Sequence, residues 1–293
     1  MAIKLANGDI SALYLGSQAV SAAYLGSSTV YSTASTFAPS DITGLQLWLD
    51  ASDDQTLYDA TTGGSLVAAD GSVARWEDKS GNDYHMTQAT AGSRPARKTA
   101  IQGGLDVLRF DGSVDFMSVP SSTATFKFFH AAQATIFVVF STSNTINAAQ
   151  ILGNRTSGAD IGAYIRHFNA TDQKSILHVA TDGIVDYVFN ASASSFFDIN
   201  SFRVLSLVSD VTASASSRSR LRVNGGSAEA NNTDGSTASQ SNASRNLSIC
   251  ANHDGSGLVL AADICEIIIY NSALSDTDRE AVEDYLIAKW SIT

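Results

Sequence analysis

Proline is nearly missing from this chain, with three residues in 293, and cysteine is scarcer still at two. Glutamate is also thin: it occurs only at positions 77, 229, 266, 280 and 283, so most of the 29 acidic residues are aspartate. Two cysteines cannot build a disulfide framework. No apolar run nears the ~20 residues of a helical membrane span. The opening Met1-Ala2-Ile3-Lys4-Leu5 lacks the long apolar core of a signal peptide, so a route outside the cell would bypass secretion. Basic residues number 18, the net charge is −11, and no Lys/Arg cluster stands out, which argues against direct nucleic-acid binding.

Chemical signatures are equally sparse. His85, His130, His167, His178 and His253 are scattered without metal-ligand spacing. No phosphate-cradling glycine loop and no strained serine elbow occurs. Glu266 stands alone in its strand pattern, and Glu280 and Glu283 fall in a helix pattern, so no E-x-D-x-x-E run supplies the two carboxylates of a glycosidase. The sequence therefore reads as a non-enzyme with no bound cofactor.

What is present is β-structure. The hydrophobic fraction of 44% against 16% charged residues supports a sizeable core. Short β-branched and aromatic runs recur at 135–141, 149–154, 162–168, 175–180, 184–189, 202–209, 221–224 and 247–251. Asp182-Gly183 and Asn224-Gly225 punctuate them as short turns. Such spacing predicts a β-sandwich. Leu45, Leu47 and Leu49 alternate with polar or amphipathic neighbours as its first strand. Residues 226–246 form a long polar loop.

The C-terminal end organises the rest. Residues 258–260 and 264–270 read as one long apolar strand, followed by a turn at 271–274. Ser275 caps a helix whose first turn carries Asp276 and Asp278, and Val282, Tyr285, Leu286 and Trp290 give it one apolar face. Lys289 sits in the last turn, where a cation is favoured.

At the other end, residues 10–17 (ISALYLGS) recur as 20–27 (VSAAYLGS), and Val30-Tyr31 begins a third copy. Each copy is a strand-like stretch closed by Gly-Ser, the pattern of a small β-meander with little core of its own. Residues 33–40 are a polar linker, which divides the chain into 1–32, 33–40 and 41–293.

Three segments carry a resemblance. They are C-E-I-I-I-Y-N-S-A-L-S-D at 265–276 with Tyr285-Leu286 and Lys289-Trp290, W-E-D-K-S-G-N at 76–82, and L-R-F-D-G at 108–112. Together they resemble concanavalin A-like (laminin-G-like) jelly-roll domains. That resemblance implies an all-β jelly-roll sandwich with a short C-terminal helix, preceded here by the small β-repeat module. The N-terminal repeat resembles segments of tailed-bacteriophage structural proteins. It implies a virion protein assembled in the host cytoplasm: a capsid decoration, head-fibre or tail-fibre module. Its partners would be other capsid or tail proteins, copies of itself in a closed oligomer such as a trimer, and host or environmental glycans. Tyr14, Leu15, Tyr24, Leu25 and Tyr31 are then the candidate attachment residues. A free-standing carbohydrate-binding lectin-like protein is the alternative, for which 41–293 would suffice.

Two readings stay open. Laminin-G-like domains often hold Ca²⁺ at the sandwich rim, so Asp78 and Asn82, or Asp182, Asp254 and Asp263, could supply oxygens, although turn chemistry explains all five. Cys250 and Cys265 flank a turn at 253–257; a hairpin there would set them opposite each other, either bonded or as reduced core thiols.

Overall fold

The computed structural model describes residues 37–143, 149–156, 160–166, 200–214, 218–227 and 238–293 in full, and the backbone of the strands at 14–15, 18–19, 22–25, 28–32, 167–168, 174–180 and 186–191. The chain divides into two compact units, Met1–Ala38 and Pro39–Thr293.

In the first unit the tandem repeat forms two antiparallel pairs. β1 (Tyr14–Leu15) pairs with β2 (Gln18–Ala19), and β3 (Ala22–Leu25) with β4 (Ser28–Ser32). A Gly-Ser dipeptide separates the partners of each pair in sequence.

The second unit is an antiparallel β-sandwich, as the strand spacing predicts. Its strands are β5 (Leu45–Asp50), β6 (Leu57–Tyr58), β7 (Arg75–Trp76), β8 (Met86–Thr87), β9 (Ala96–Gln102), β10 (Leu105–Asp111) and β11 (Met117–Ser118). After a short helix, α1 (Phe128–Ala131), come β12 (Gln133–Thr142), β13 (Ala149–Gly153), β14 (Ala163–Phe168), β15 (Lys174–Ala180) and β16 (Asp186–Ala191). β17 (Arg203–Asp210), β18 (Ser219–Val223), β19 (Ser248–Ile249), β20 (Ala261–Tyr270) and α2 (Asp276–Lys289) complete it.

One sheet has seven strands in the order β18-β17-β12-β20-β10-β9, with β5 pairing the second half of β20 beyond the end of β10. The other has nine, from β16 through β15, β14, β13, β19, β11, β8 and β7 to β6. Their facing sides bury one apolar core that includes Leu47, Leu49, Trp76, Leu108, Phe110, Ile136, Val138, Ile249, Ile264 and Ile267.

The last strand departs from its expected length. Leu258 adopts a positive φ of 60°, so the chain turns there and β20 starts only at Ala261. Cys250 likewise has φ 61° and cuts β19 short. Cys250 and Cys265 therefore do not face each other across a hairpin: β19 lies in the nine-stranded sheet and β20 in the seven-stranded one. Both are free, buried thiols, and burial pushes their pKa values well above the ordinary thiol value.

Asp111-Gly112 at the end of L-R-F-D-G has the composition of a hairpin turn, but it closes no hairpin. Gly112 (φ 72°) lies against β20, where an added Cβ would stand 2.5 Å from that of Ala261, and the chain then crosses to β11 in the opposite sheet. Asp182-Gly183 lies outside the described residues. Asn224 and Gly225 both take positive φ, 49° and 67°, as a tight turn of that composition requires.

The W-x-D-x-S-G-N segment is a fastener for β5. Asp78 accepts hydrogen bonds from the N–H groups of Trp48, Ser80 and Tyr84 and from the Ser80 hydroxyl, at 2.7–3.0 Å. The Asn82 amide donates to the carbonyls of Leu45 and Gln46, and Gly81 supplies φ 87°. With its oxygens spent on four donors, Asp78 acts as a turn residue.

Candidate functional site

Strand alternation sends one row of side chains from the seven-stranded sheet away from the core. α2 covers half of that outer face. Phe137, Val139, Val204, Val208, Ile268 and Tyr270 are buried there without belonging to the inter-sheet core, and Val282, Leu286 and Trp290 are buried on the helix. Ser275 caps α2 as the sequence predicts, its hydroxyl accepting the Asp278 N–H at 3.1 Å.

Beneath α2 lies a buried charge network. Glu266 is fully buried; Oε1 accepts from Trp48 Nε1 (2.7 Å) and the Tyr285 hydroxyl (3.0 Å), and Oε2 from Lys289 Nζ and Trp290 Nε1 (both 2.7 Å). Lys289 also reaches Asp50 at 2.8 Å, and Lys79 bridges Asp50 (2.9 Å) and Asp53 (2.8 Å). Burial, reinforced by the Asp50 charge, pushes the Glu266 pKa up. Burial also opposes the Asp50 charge, but Lys289, Ser52 and Lys79 outweigh it and hold that pKa down. The residues E…Y-L-x-x-K-W are thus one structural unit, closed to any ligand.

The other half of the outer face is open. The register shift at Cys265 keeps Glu266 and Asp263 on the same side of the sheet although they are three residues apart. Asp263 opposes Arg109 on β10 and Ser141 on β12, and Arg109 opposes Ala96 on β9, so one row crosses four strands. Arg109 and Asp263 form a bidentate pair, both contacts 2.7 Å. This row floors a cleft of about 500 Å³, which Lys98, Asp111, Asp115, Ser143 and Asn200 also line.

Two carboxylates in this cleft behave oppositely. Asp111 is partly buried, yet the Ser113 hydroxyl and the N–H groups of Ser113, Val114 and Asp115 bring its pKa down to about 2. Asp115 is desolvated beside that charge, with no cation paired to it among the described residues; its pKa is raised to about 6, the Asp111 N–H offsetting only part of the burial. Between the unfolded value near 3.8 and about 6 the folded chain holds the extra proton, so stability falls as pH rises through that window. Asp115→Asn should therefore raise the unfolding free energy above about pH 6 and change it little below about pH 4. Urea titrations at the two pH values check this; an equal effect at both would remove the assigned ionisation.

A second cleft of about 460 Å³ lies beside the end of α2, lined by Gln102, Asn200, Phe202, Arg203, Asn224 and Ser291 among others. Asn200 lines both clefts. Sequence reasoning missed this face because its residues are distant along the chain; Arg109 and Asp263 are 154 positions apart. Only the β10–β20 register joins them.

Of the residues singled out from sequence, Tyr14 and Leu15 lie on β1, Tyr24 and Leu25 on β3, and Tyr31 on β4. Asp254 accepts the Ser256 N–H at 3.0 Å, Asp263 is spent on Arg109, and Asp182 is outside the described residues. Among the described residues no group of three or more His, Cys, Asp or Glu side chains is arranged to hold a metal ion, and no helix is long and apolar enough to cross a membrane.

The fold places the chain in the class of antiparallel all-β sandwiches with a short C-terminal helix. No protein-family model and no curated protein matches its sequence. Its structure is similar to the botulinum neurotoxin serotype D binding domain, with a TM-score of 0.53 and 10% identity over 83% of this chain and 51% of that one. The receptor binding domain of the mosaic serotype C/D neurotoxin gives 0.54 and 10%, over 85% and 52%. Trypanosoma rangeli sialidase in complex with sialic acid gives 0.53 and 11%, over 86% and 34%. The chain thus spans about half of the neurotoxin chains and a third of the sialidase chain, and at these identities the likeness is one of fold.

Proposed function

We propose that this chain is a bacteriophage virion structural protein, a capsid decoration, head-fibre or tail-fibre module whose sandwich displays a glycan-binding face. The carrying observation is the division of labour along the chain. A unit of two repeated hairpins precedes a sandwich with its own core, and half of one outer sheet face of that sandwich is an open cleft that Arg109, Asp111, Asp115 and Asp263 line. The hairpins attach, through Tyr14, Leu15, Tyr24, Leu25 and Tyr31, and the sandwich projects as a closed oligomer such as a trimer.

The module binds without catalysis. Glu266 is sealed under α2, and the Asp111 oxygens are engaged by the turn they cap, so neither is free to attack a glycosidic carbon. A free-standing lectin is the second reading, favoured by the continuous core that the described residues of the second unit form.

Mass spectrometry and electron microscopy of purified phage particles test attachment. Many symmetric copies on the head are expected of a decoration protein, and a few at the tail tip of a receptor-binding one. A chain lacking residues 1–32 should keep the cooperative unfolding of the sandwich and be lost from particles. Absence of the full chain from particles would leave the free-standing lectin.

A further inference from the structure

We propose that the two clefts are one groove, and that its ligand is a neutral oligosaccharide several sugar rings long which crosses from one cleft to the other over Asn200. This deepens the glycan-binding reading and rests on it. Each cleft alone, at about 500 and about 460 Å³, already has the size of a small-molecule site, and both are lined in part by the same residue.

Asn200 is well placed as the crossing point. Its N–H is tied to the Thr142 carbonyl at 2.9 Å, and its backbone sits at φ 66°, a conformation asparagine tolerates better than most residues. Its side chain is exposed where the clefts meet.

The lining chemistry selects the ligand class. On one side of Asn200 the floor holds Ser141, Ser143 and the Arg109–Asp263 pair, which offer hydroxyl and charged partners for sugar hydroxyls. Both cations of that floor are already matched, Arg109 by Asp263 and Lys98 by Asp70 at 2.7 Å. Asp111 and Asp115 add negative charge, and the whole chain carries −11, so a polyanionic glycan meets repulsion. That same floor also exposes apolar surface at Ala96 and Ala261, whereas the other side is mostly polar, with the amides of Gln102 and Asn224 beside the half-buried Phe202. Sugars present apolar C–H faces beside hydroxyls, and only a chain of rings reaches both sides.

The test is binding of the full chain to immobilised neutral mono-, di-, tetra- and hexasaccharides, with sialylated and sulfated chains as charged counterparts. Affinity is expected to rise at least about tenfold from di- to hexasaccharide and to fall on adding charge. Asn200→Gly keeps the positive φ while deleting the amide, and Phe202→Ala removes the aromatic ring. Each should weaken the hexasaccharide by about tenfold and leave thermal unfolding in place. One of the two variants should also leave disaccharide binding unchanged: Phe202→Ala, because a disaccharide fits the charged cleft alone. Binding that is independent of length, or stronger for charged chains, would overturn the groove while leaving glycan binding intact. No binding to any chain would overturn both.

Discussion

Glu266→Ala is expected to destabilise the sandwich by about 3–5 kcal/mol, the range for removing one partner of a buried ionic network. The side chain is fully buried and satisfies four donors at once: two indole N–H groups, a tyrosine hydroxyl and the Lys289 ammonium. Removal takes the acceptor from the Trp48 and Trp290 indole N–H groups and leaves Lys289 with Asp50 at 2.8 Å and the Tyr285 hydroxyl at 3.3 Å. Glu266→Gln keeps the volume but turns an amide donor toward existing donors, so it should cost less than the alanine yet remain clearly destabilising. Lys289→Met tests the electrostatics separately. It leaves Asp50 and Glu266 as neighbouring carboxylates, so the Glu266 pKa, already raised by burial, rises further. The native chain then holds a proton that the unfolded chain releases, and stability should fall as pH rises above the unfolded glutamate value of 4.5. Urea unfolding of the three variants across pH decides the matter. A loss below about 1 kcal/mol for Glu266→Ala would show that the network is incidental to the fold.

Ending the chain at Leu274 should abolish the cooperative fold, an effect larger still. Val282, Leu286, Trp290 and Ile292 all retain 7% exposure or less, and each contributes about 1.5–3 kcal/mol by burial. Their sum, about 6–12 kcal/mol, is comparable with the entire stability of a typical domain at about 5–15 kcal/mol. The truncation also bares the outer face of the sheet, including Phe137 and Tyr270, whose rings pack edge to face at 6.3 Å. The Glu283 contacts to Ser206 and Arg222, and those of Arg279 to Asp276 and Glu283, would go too. Near-UV circular dichroism and binding of a hydrophobic dye would read the result. A truncated chain that still melts cooperatively within a few degrees of the intact one would demote α2 to an appendage.

Both results turn on residues whose presence was legible in the sequence while their partnership was not. The helix cap at Ser275 and the apolar spacing of Val282, Leu286 and Trp290 are local signals, readable because capping and helical periodicity involve neighbours three or four positions apart. The same holds for the strands, whose runs at 135–141, 162–168 and 202–209 match β12, β14 and β17 to within two residues. Glu266, by contrast, reads as a lone acid in a strand. Its partners come from β5 and α2, as far as 218 positions away.

Sequence failed wherever a single backbone angle redirected the chain. Leu258 and Cys250 fall in apolar runs, yet their positive φ values break those runs, and the chain enters the other sheet only at Ala261. The expected turn at 253–257 does close, with the Asn252 N–H on the Gly257 carbonyl, but the Leu260 N–H meets the Cys250 carbonyl, so Leu260 rather than Cys265 lies opposite Cys250.

By itself, then, the sequence determined the all-β class, the strands β5, β10 and those from β12 onward, and the capped terminal helix, because period-two and helical patterns are written in adjacent residues. Only the tertiary structure decided which strands neighbour β20, that α2 seals one half of its outer face, and that Arg109, Asp263 and Asn200 share a groove on the other. Those facts depend on non-local register, and a register between strands more than a hundred residues apart leaves no mark in local composition.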